Sequence, residues 1–210
     1  MNVRPFTPQK FPKTFHAPWS LGITNDDKIH KNMDCFIGKE VVVLEKRDGE
    51  NANLDKWGTW ARSVDSTGGE LRTRMRSIYS RIGHQLSDNQ RICGENLQYE
   101  HSIRYENISA FEVFSIWDGP KRESWDDTVL MCEVLDLVHV PVLWRGIYDE
   151  NEIRKVERTM DFTKQEGYVI TTVSGFDIRD YDKYVAKFVR KGHVQTDEHW
   201  KKHLNENGVY

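Results

Sequence analysis

The stretch EKRDGENANL, residues 45–54, follows the apolar run VVVL. A strand that runs into lysine, aspartate and glycine has two readings. One is a strand ending in a polar turn. The other is a nucleophilic amine, Lys46, held at the lip of a pocket. An amine with the ordinary lysine pKa of about 10.4 is protonated at neutral pH and is no nucleophile. Burial or neighbouring cations lower that value by several units, each unit being about 1.4 kcal/mol. The end of a buried strand supplies rigidity, and Gly49 would let the backbone approach a ligand closely. K-x-D-G alone does not choose between turn and nucleophile.

Whatever Lys46 does, the rest of the chain must position it. β-Branched and aromatic runs predict strands at 41–46, 111–117, 140–144, 168–173 and 184–189. Helices are predicted at SWDDTVLMCEVLDLV, where Ser124 and Asp127 form a capping signal and Leu130, Val134 and Leu137 are spaced for one buried face. A second helix is NEIRKVERTM, with Ile153, Val156 and Met160 on one face, and a third is RMRSIYSRIGHQL. Strands outnumber helices and few strand–helix–strand units appear, so the expected class is α+β with mainly antiparallel sheets. Residues 1–20 hold four of the six prolines and read as an extended arm over the surface of a single domain spanning 1–210. Lys13, His16 and Trp19 on that arm could touch a ligand, but packing of Phe11, Phe15 and Trp19 on the core is the preferred reading.

Composition bounds the rest. The chain has 210 residues, 38% of them hydrophobic, enough for one core and hardly for two. No apolar run approaches the roughly 20 residues of a membrane span, and the N-terminus lacks a secretory h-region. Three widely spaced cysteines fit neither a disulfide framework nor a zinc site and point to reduced thiols in a cytoplasm. The net charge of −3 means that a polyanion would need a local basic patch, for which 71–81 and 183–191 are the candidates, each also readable as a solvated face. His193 and His199 lack companions at metal spacing and read as tail histidines.

Along the chain come Lys46, then Arg62 in WARS, Glu95 in ICGENL, Phe114 in FEVFSIWD, Glu166 in EGYVI and Lys187 in KYVAKFV. Singly, these read as surface charges, a packed strand aromatic or a turn residue. As a collinear series, with Glu45, Lys46, Gly49 and Asn51 matching E-K-x-x-G-x-N, they resemble the covalent nucleotidyltransferases, and within them the ATP-dependent RNA ligases of the RNA ligase 2 type. The resemblance implies an ATP-grasp-like ligase adenylylation domain. Lys46 would attack the α-phosphate of ATP, expel pyrophosphate and hold AMP. Glu45 would sit near the adenine edge and Phe114 would stack on the base. Arg62 and Glu95 would fix the ribose and phosphates, Glu166 would help hold Mg2+ (or Mn2+), and Lys187 would contact the α-phosphate. Asp48, Gly49 and Asn51 belong to the same nucleotide-binding motif.

Physical chemistry is consistent with those roles, since nucleotidyl transfer depends on positioning and charge stabilisation. Cationic Arg62 and Lys187 would lower the Lys46 pKa. Strand alternation places Phe114 with Glu112 and Ile116, and Phe111 in the core. Lys183, Val185, Lys187, Val189 and Lys191 would share one face. The chain departs from the pattern at Asp48, where this type has histidine, at Ser115, where aspartate is usual, and at Val189, where a second lysine is usual and Arg190 or Lys191 could substitute. Only 19 residues follow Lys191, so no OB domain is expected. The expected function is an ATP-dependent ligase joining RNA 5′-phosphate and 3′-hydroxyl ends, with phosphates gathered around Arg72–Arg76 and Lys183–Lys191. The alternatives are a DNA-nick ligase, a capping-type guanylyltransferase and a non-catalytic protein that binds nucleic-acid ends.

Overall fold

Val41, Val42, Val43 and Leu44 are at most 2% exposed, so the strand they form must be covered on both faces. In the computed structural model, which describes residues 9–63, 72–192 and 205–210, that strand is β2 (Glu40–Lys46). Residues 1–8 of the expected arm, Leu71, His193 and His199 lie outside the described residues. β2 lies within a five-stranded sheet ordered β1 (Phe15–His16), β13 (Val185–Val189), β11 (Gly167–Thr172), β2 and β10 (Val142–Ile147). All of its pairings are antiparallel except β1 with β13.

A second, seven-stranded sheet runs β12 (Phe176–Asp177), β8 (Lys121–Arg122), β7 (Phe111–Asp118), β5 (Gln90–Asn96), β3 (Glu50–Asp55) and β4 (Gly58–Ala61), with β9 (Val138–His139) parallel to β7. A short parallel pair joins β6 (Glu106–Ile108) to β14 (Gly208–Val209). The helices are α1 (Thr73–Ile82), α2 (Trp125–Val134), α3 (Glu150–Thr159) and α4 (Tyr181–Tyr184). This is the expected α+β class with mainly antiparallel sheets flanked by helices, and no OB barrel is present among the described residues.

Alternation along the strands sorts the core into layers. Val41, Val43, Tyr168, Ile170 and Phe188 face outward onto Ile153, Val156 and Met160 of the α3 segment. Ala52, Leu54, Ile92 and Phe111 face the other way, onto Met75 and Ile82 of α1 and Cys132 of α2. Between the sheets, Val42 and Leu44 meet Trp125, Val140 and Phe114, while Phe11, Cys93, Trp117 and Val185 fill the adjoining space. Where apolar filling stops, the inner faces of the two sheets carry polar side chains, among them Lys46, Asn51, Asn53, Glu95 and Lys187.

Several expectations change. Ser124 does cap α2, accepting from Asp127 N–H at 3.0 Å, but its buried face is Trp125, Thr128 and Cys132. Leu130 and Val134 are 57% and 67% exposed, and Leu137 lies past the helix end. The helix is apolar nearly all round, so spacing alone permits either face. Strand alternation fails in β7, where Ser115 opposes Cys93 but Val113 opposes Gly94. The extra residue is Phe114. This bulge carries Ile116 to the side of Phe111 and Val113, leaving Phe114 facing the other sheet.

The arm is also more than a surface covering. Ala17 N–H donates to Lys187 C=O at 2.7 Å, and Leu21 and Gly22 N–H both reach Val189 C=O, at 3.1 and 2.8 Å. A Cβ on Gly22 would lie 2.4 Å from the Arg190 carbonyl oxygen, so only glycine fits there. His16 and Ala17 are 0% exposed. At the opposite border, β10 carries a register shift between Val142 and Trp144. Arg145 on it binds Glu40 at 2.8 Å and both oxygens of Asp126 at 2.5 and 3.0 Å.

Candidate active site

Lys46 is the last residue of β2, on the face that carries Val42 and Leu44 toward the second sheet. Opposite Lys46 on β11 is Gly167, and the residue before it, Glu166, is fully buried. The Lys46 ammonium donates to Glu166 Oε2. Lys187 on β13 opposes Val169 of β11 and is 8% exposed, enclosed between Val185 and Val189 as their alternation implies. From the second sheet, Asn51 on β3 is paired in register with Glu95 on β5. Their inner-face neighbours are tied down, with Cys93 Sγ donating to Asn53 Oδ1 at 3.1 Å and Asn53 Nδ2 to Asn51 Oδ1 at 3.2 Å.

Electrostatics couple these groups. Burial disfavours the Lys46 ammonium, but Glu166, Glu95 and Asp48 outweigh it and hold its pKa above the ordinary lysine value. The expected depression of Lys46 is therefore not found here, because Glu166, Glu95 and Asp48 favour its charged form by more than burial disfavours it. The depression falls on Lys187, lowered to about 8 by burial and by the Lys46 charge, with Arg62 adding to it. Burial raises Glu95 to about 8, and raises Glu166 as well. A nest of carboxylates that resist ionisation around one ammonium is poised to change partners when further charge arrives.

The remaining sequence candidates divide. Phe114 is half-buried at the inter-sheet boundary, its ring edge-on to Phe11 with centroids 5.4 Å apart. Arg62 is exposed at the end of β4, donates to Pro12 C=O at 3.4 Å, and its charge reaches Lys187. Glu45 is turned to the opposite face of β2 from Lys46. Its carboxylate receives Arg47 Nη1 at 2.5 Å and Gln165 Nε2 at 2.8 Å. Asp48 is also committed elsewhere: Oδ2 accepts from Ser102 N–H and O–H, both at 2.7 Å, and from Ile103 N–H at 2.8 Å. A Cβ on Gly49 would lie 2.6 Å from the Asn96 carbonyl oxygen, so the backbone there runs close against β5.

The basic stretches are less free than their sequence implies. Arg72 is 1% exposed and holds Glu50 through two bonds of 2.6 and 2.8 Å. Lys183 lies in α4, not on the strand, and pairs with Asp180 at 2.7 Å. Val189 is buried, and Arg190 spends its backbone N–H on Glu166 C=O. Arg74, Arg76 and Lys191 remain exposed.

Sequence reasoning missed Asp27. Its Oδ1 lies 3.7 Å from Lys187 Nζ and 3.8 Å from Lys13 Nζ, and its Oδ2 lies 3.3 Å from His16 Nε2. It missed Arg47 too, which bridges Glu45 and Glu112, the latter at 2.7 Å. An arginine right after the lysine was the available signal for that bridge. Nothing local marked Asp27, whose place depends on the arm following β13.

As for a divalent metal, no group of three or more His, Cys, Asp or Glu able to hold one occurs among the described residues. Magnesium needs no such cage, taking one or two carboxylates and completing its shell with water and phosphate oxygens. Glu166 and Glu95, oxygen donors that both act on Lys46, fit that pattern.

A family model described as RNA ligase matches residues 39–189. An archaeal ATP-dependent RNA ligase is structurally similar, with TM-score 0.62 and 16% identity over 86% of this chain and 48% of that one. A chain described as a candidate ATP-dependent DNA ligase from Aquifex aeolicus gives 0.55 and 20%, over 75% and 45%. A mutant Naegleria gruberi RNA ligase with ATP and Mn gives 0.53 and 16%, over 92% and 59%. The chain thus spans about half the length of these solved proteins, and the likeness is one of fold. No curated protein matches it in sequence. The family match runs from Lys39, just before β2, to the end of β13, and takes in Lys46, Glu95, Phe114, Glu166 and Lys187. The chain belongs to the RNA ligase family.

Proposed function

We infer that the protein is an ATP-dependent RNA ligase, with residues 1–210 acting as one adenylylation domain. The observation that carries this reading is Lys46 at a strand end, bonded to buried Glu166 and near enough to Lys187 for the two charges to act on each other. Lys46 Nζ attacks the α-phosphorus of ATP. The amine gives up its protons to solvent, a P–N bond forms as the bond to the bridging oxygen breaks, and pyrophosphate leaves with the electron pair. AMP then passes from Lys46 to an RNA 5′-phosphate, and a 3′-hydroxyl displaces it to seal the ends.

Lys187, cationic below its pKa of about 8, contacts the α-phosphate, and Arg62 guards the mouth. Phe114 offers a ring face to the purine, while Asn51 and Glu95 line the opposite wall. Glu45 contributes indirectly by holding Arg47 against Glu112, and Asp48 and Gly49 fix the turn that aims Lys46. Glu166 and Glu95 would hold magnesium or manganese. When bound, that ion supplies positive charge that competes with the ammonium for Glu166 and offsets phosphate charge. A neutral Lys46 is then favoured by Lys187 beside it. The Naegleria gruberi structure with ATP and Mn supports the choice of nucleotide and metal. Three unpaired thiols support a reducing, cytoplasmic setting. No helix among the described residues is long and apolar enough to cross a membrane.

Incubation with α-labelled ATP and magnesium, followed by denaturing electrophoresis, tests the reading. Wild type should retain label and Lys46→Ala should not. Label on the variant would overturn the choice of nucleophile, and an unlabelled wild type would overturn the ligase.

A further inference from the structure

We propose that the N-terminal strap supplies a second phosphate-binding cation, Lys13, and that Asp27 is a positioning residue that gathers Lys13 and Lys187 into a cradle for the departing pyrophosphate. This deepens the ligase reading and rests on it.

The geometry begins with β13. Lys187 is the sole cation on its face of that strand, for its neighbours there, Val185 and Val189, are buried. Anything else that meets the outer phosphates must come from another element. The strap runs beside β13, with His16 in register with Lys187, and then doubles back so that Asp27 faces the same lysine. Thr24 pins Asp27 in place, its N–H and O–H donating to Oδ2 at 3.0 and 2.8 Å. The other oxygen, Oδ1, lies 3.7 Å from Lys187 Nζ and 3.8 Å from Lys13 Nζ. Two ammonium groups from different elements thus straddle one carboxylate oxygen. Lys13 is also fixed through a bond to Asp26 C=O.

The two lysines differ in depth. The Lys187 side chain is 10% exposed and feels the Lys46 charge; the Lys13 side chain is 40% exposed. A chain of phosphates whose α-phosphorus lies at Lys46 would meet Lys187 first and Lys13 beyond it. Without phosphate, the paired cations would repel, and Asp27 offsets that repulsion. It also counters the burial and the Lys46 and Arg62 charges that depress Lys187. The groups facing Lys187 are Lys46 and Glu166 from its own sheet, Asp27 and His16 from the strap, and Arg62 from the second sheet.

Isothermal titration with inorganic pyrophosphate and magnesium tests this directly, with AMP as the comparison ligand. Lys13→Ala should weaken pyrophosphate binding about tenfold, the low end for a hydrogen bond to a charged group, with a much smaller effect on AMP. Lys13→Arg should restore most of the loss. Asp27→Asn should move the alkaline fall in pyrophosphate affinity to lower pH, because Lys187 then loses its supporting carboxylate. Lys13 is exposed, so its variants should fold even where Asp27→Asn does not. Equal pyrophosphate affinity in wild type and Lys13→Ala, an equal loss for AMP, or no pyrophosphate binding by wild type would each overturn the proposal. These outcomes are read without adenylylation. A protein that forms the Lys46 adduct but ignores Lys13 refutes the cradle alone, and one that binds pyrophosphate through Lys13 but forms no adduct refutes the ligase reading alone.

Discussion

Acid should weaken this fold through His16, by an amount the structure lets one work out. The imidazole is 0% exposed, with Nδ1 2.7 Å from Ser20 Oγ and Nε2 3.3 Å from Asp27 Oδ2. Burial, with help from the Lys187 and Lys46 charges, lowers its pKa from 6.5 to about 4, against the pull of Asp27. Between those values the unfolded chain binds a proton that the native protein refuses. Stability from this group is therefore fully present above about pH 6.5 and is lost as pH falls toward 4. At about 1.4 kcal/mol per unit, the whole shift is worth roughly 3 kcal/mol, of which roughly 2 is lost by about pH 5. Asp27, held at about 2 through its Thr24 bonds and the nearby cations despite its burial, stays ionised across the window. Glu95, raised to about 8, gives a slope of opposite sign that any His16 variant shares. Urea unfolding of wild type and His16→Asn from about pH 7 to about pH 5 isolates the histidine, since the amide does not titrate. Wild type should lose roughly 2 kcal/mol more than the variant over that range. Parallel pH profiles would refute the assignment of a neutral, buried His16.

Gly49→Ala puts a methyl 2.6 Å from the Asn96 carbonyl oxygen and should cost roughly 1–3 kcal/mol, seen as a lower urea midpoint at constant m-value; an unchanged midpoint would show that the turn can back away. Asp48→Ala removes one oxygen that accepts from Ser102 twice and from Ile103 once, so a loss of roughly 3 kcal/mol is expected, with faster amide exchange at Ile103. Exchange as slow as in wild type would count against Asp48 as the anchor of that loop. Exposed Lys191 and buried Arg72 should part company: Lys191→Ala should flatten the salt dependence of RNA binding by roughly one unit of slope, whereas Arg72→Met should lower stability and leave the slope alone. A flatter slope in the Arg72 variant would restore the basic-stretch reading of α1.

The strands that carry Lys46, Phe114 and Lys187, and the one that Glu166 precedes, were legible because each is rich in apolar residues that need burial. β3 and β5 were not. Their inner faces hold Asn51, Asn53 and Glu95, polar where the apolar filling stops, and this erases the periodicity that marks a half-buried strand. Phe111 was readable as core, whereas the bulge at Phe114 depends on pairing with Gly94, a contact distant in sequence. Local spacing could offer Leu130 and Val134 as a buried face, but only the position of the second sheet decides which side of α2 is covered. Charge was least legible. Lys187 was expected to lower the Lys46 pKa, but the depression falls on Lys187 itself, through burial and the Lys46 charge, because the fold packs the carboxylates around Lys46.

The strap and the kinked border strand guard opposite ends of the same sheet. Along β13, the strap occupies carbonyls that an intruding polypeptide would otherwise claim. Among the described residues no strand covers the outer edge of β10, and Ile147 is 61% exposed. There the break in register and the Arg145 guanidinium, clamped by Glu40 and Asp126, make a poor template for continued pairing. A stray strand docking on that side would have to bury three charges, and this resists fibril-like growth during synthesis or stress.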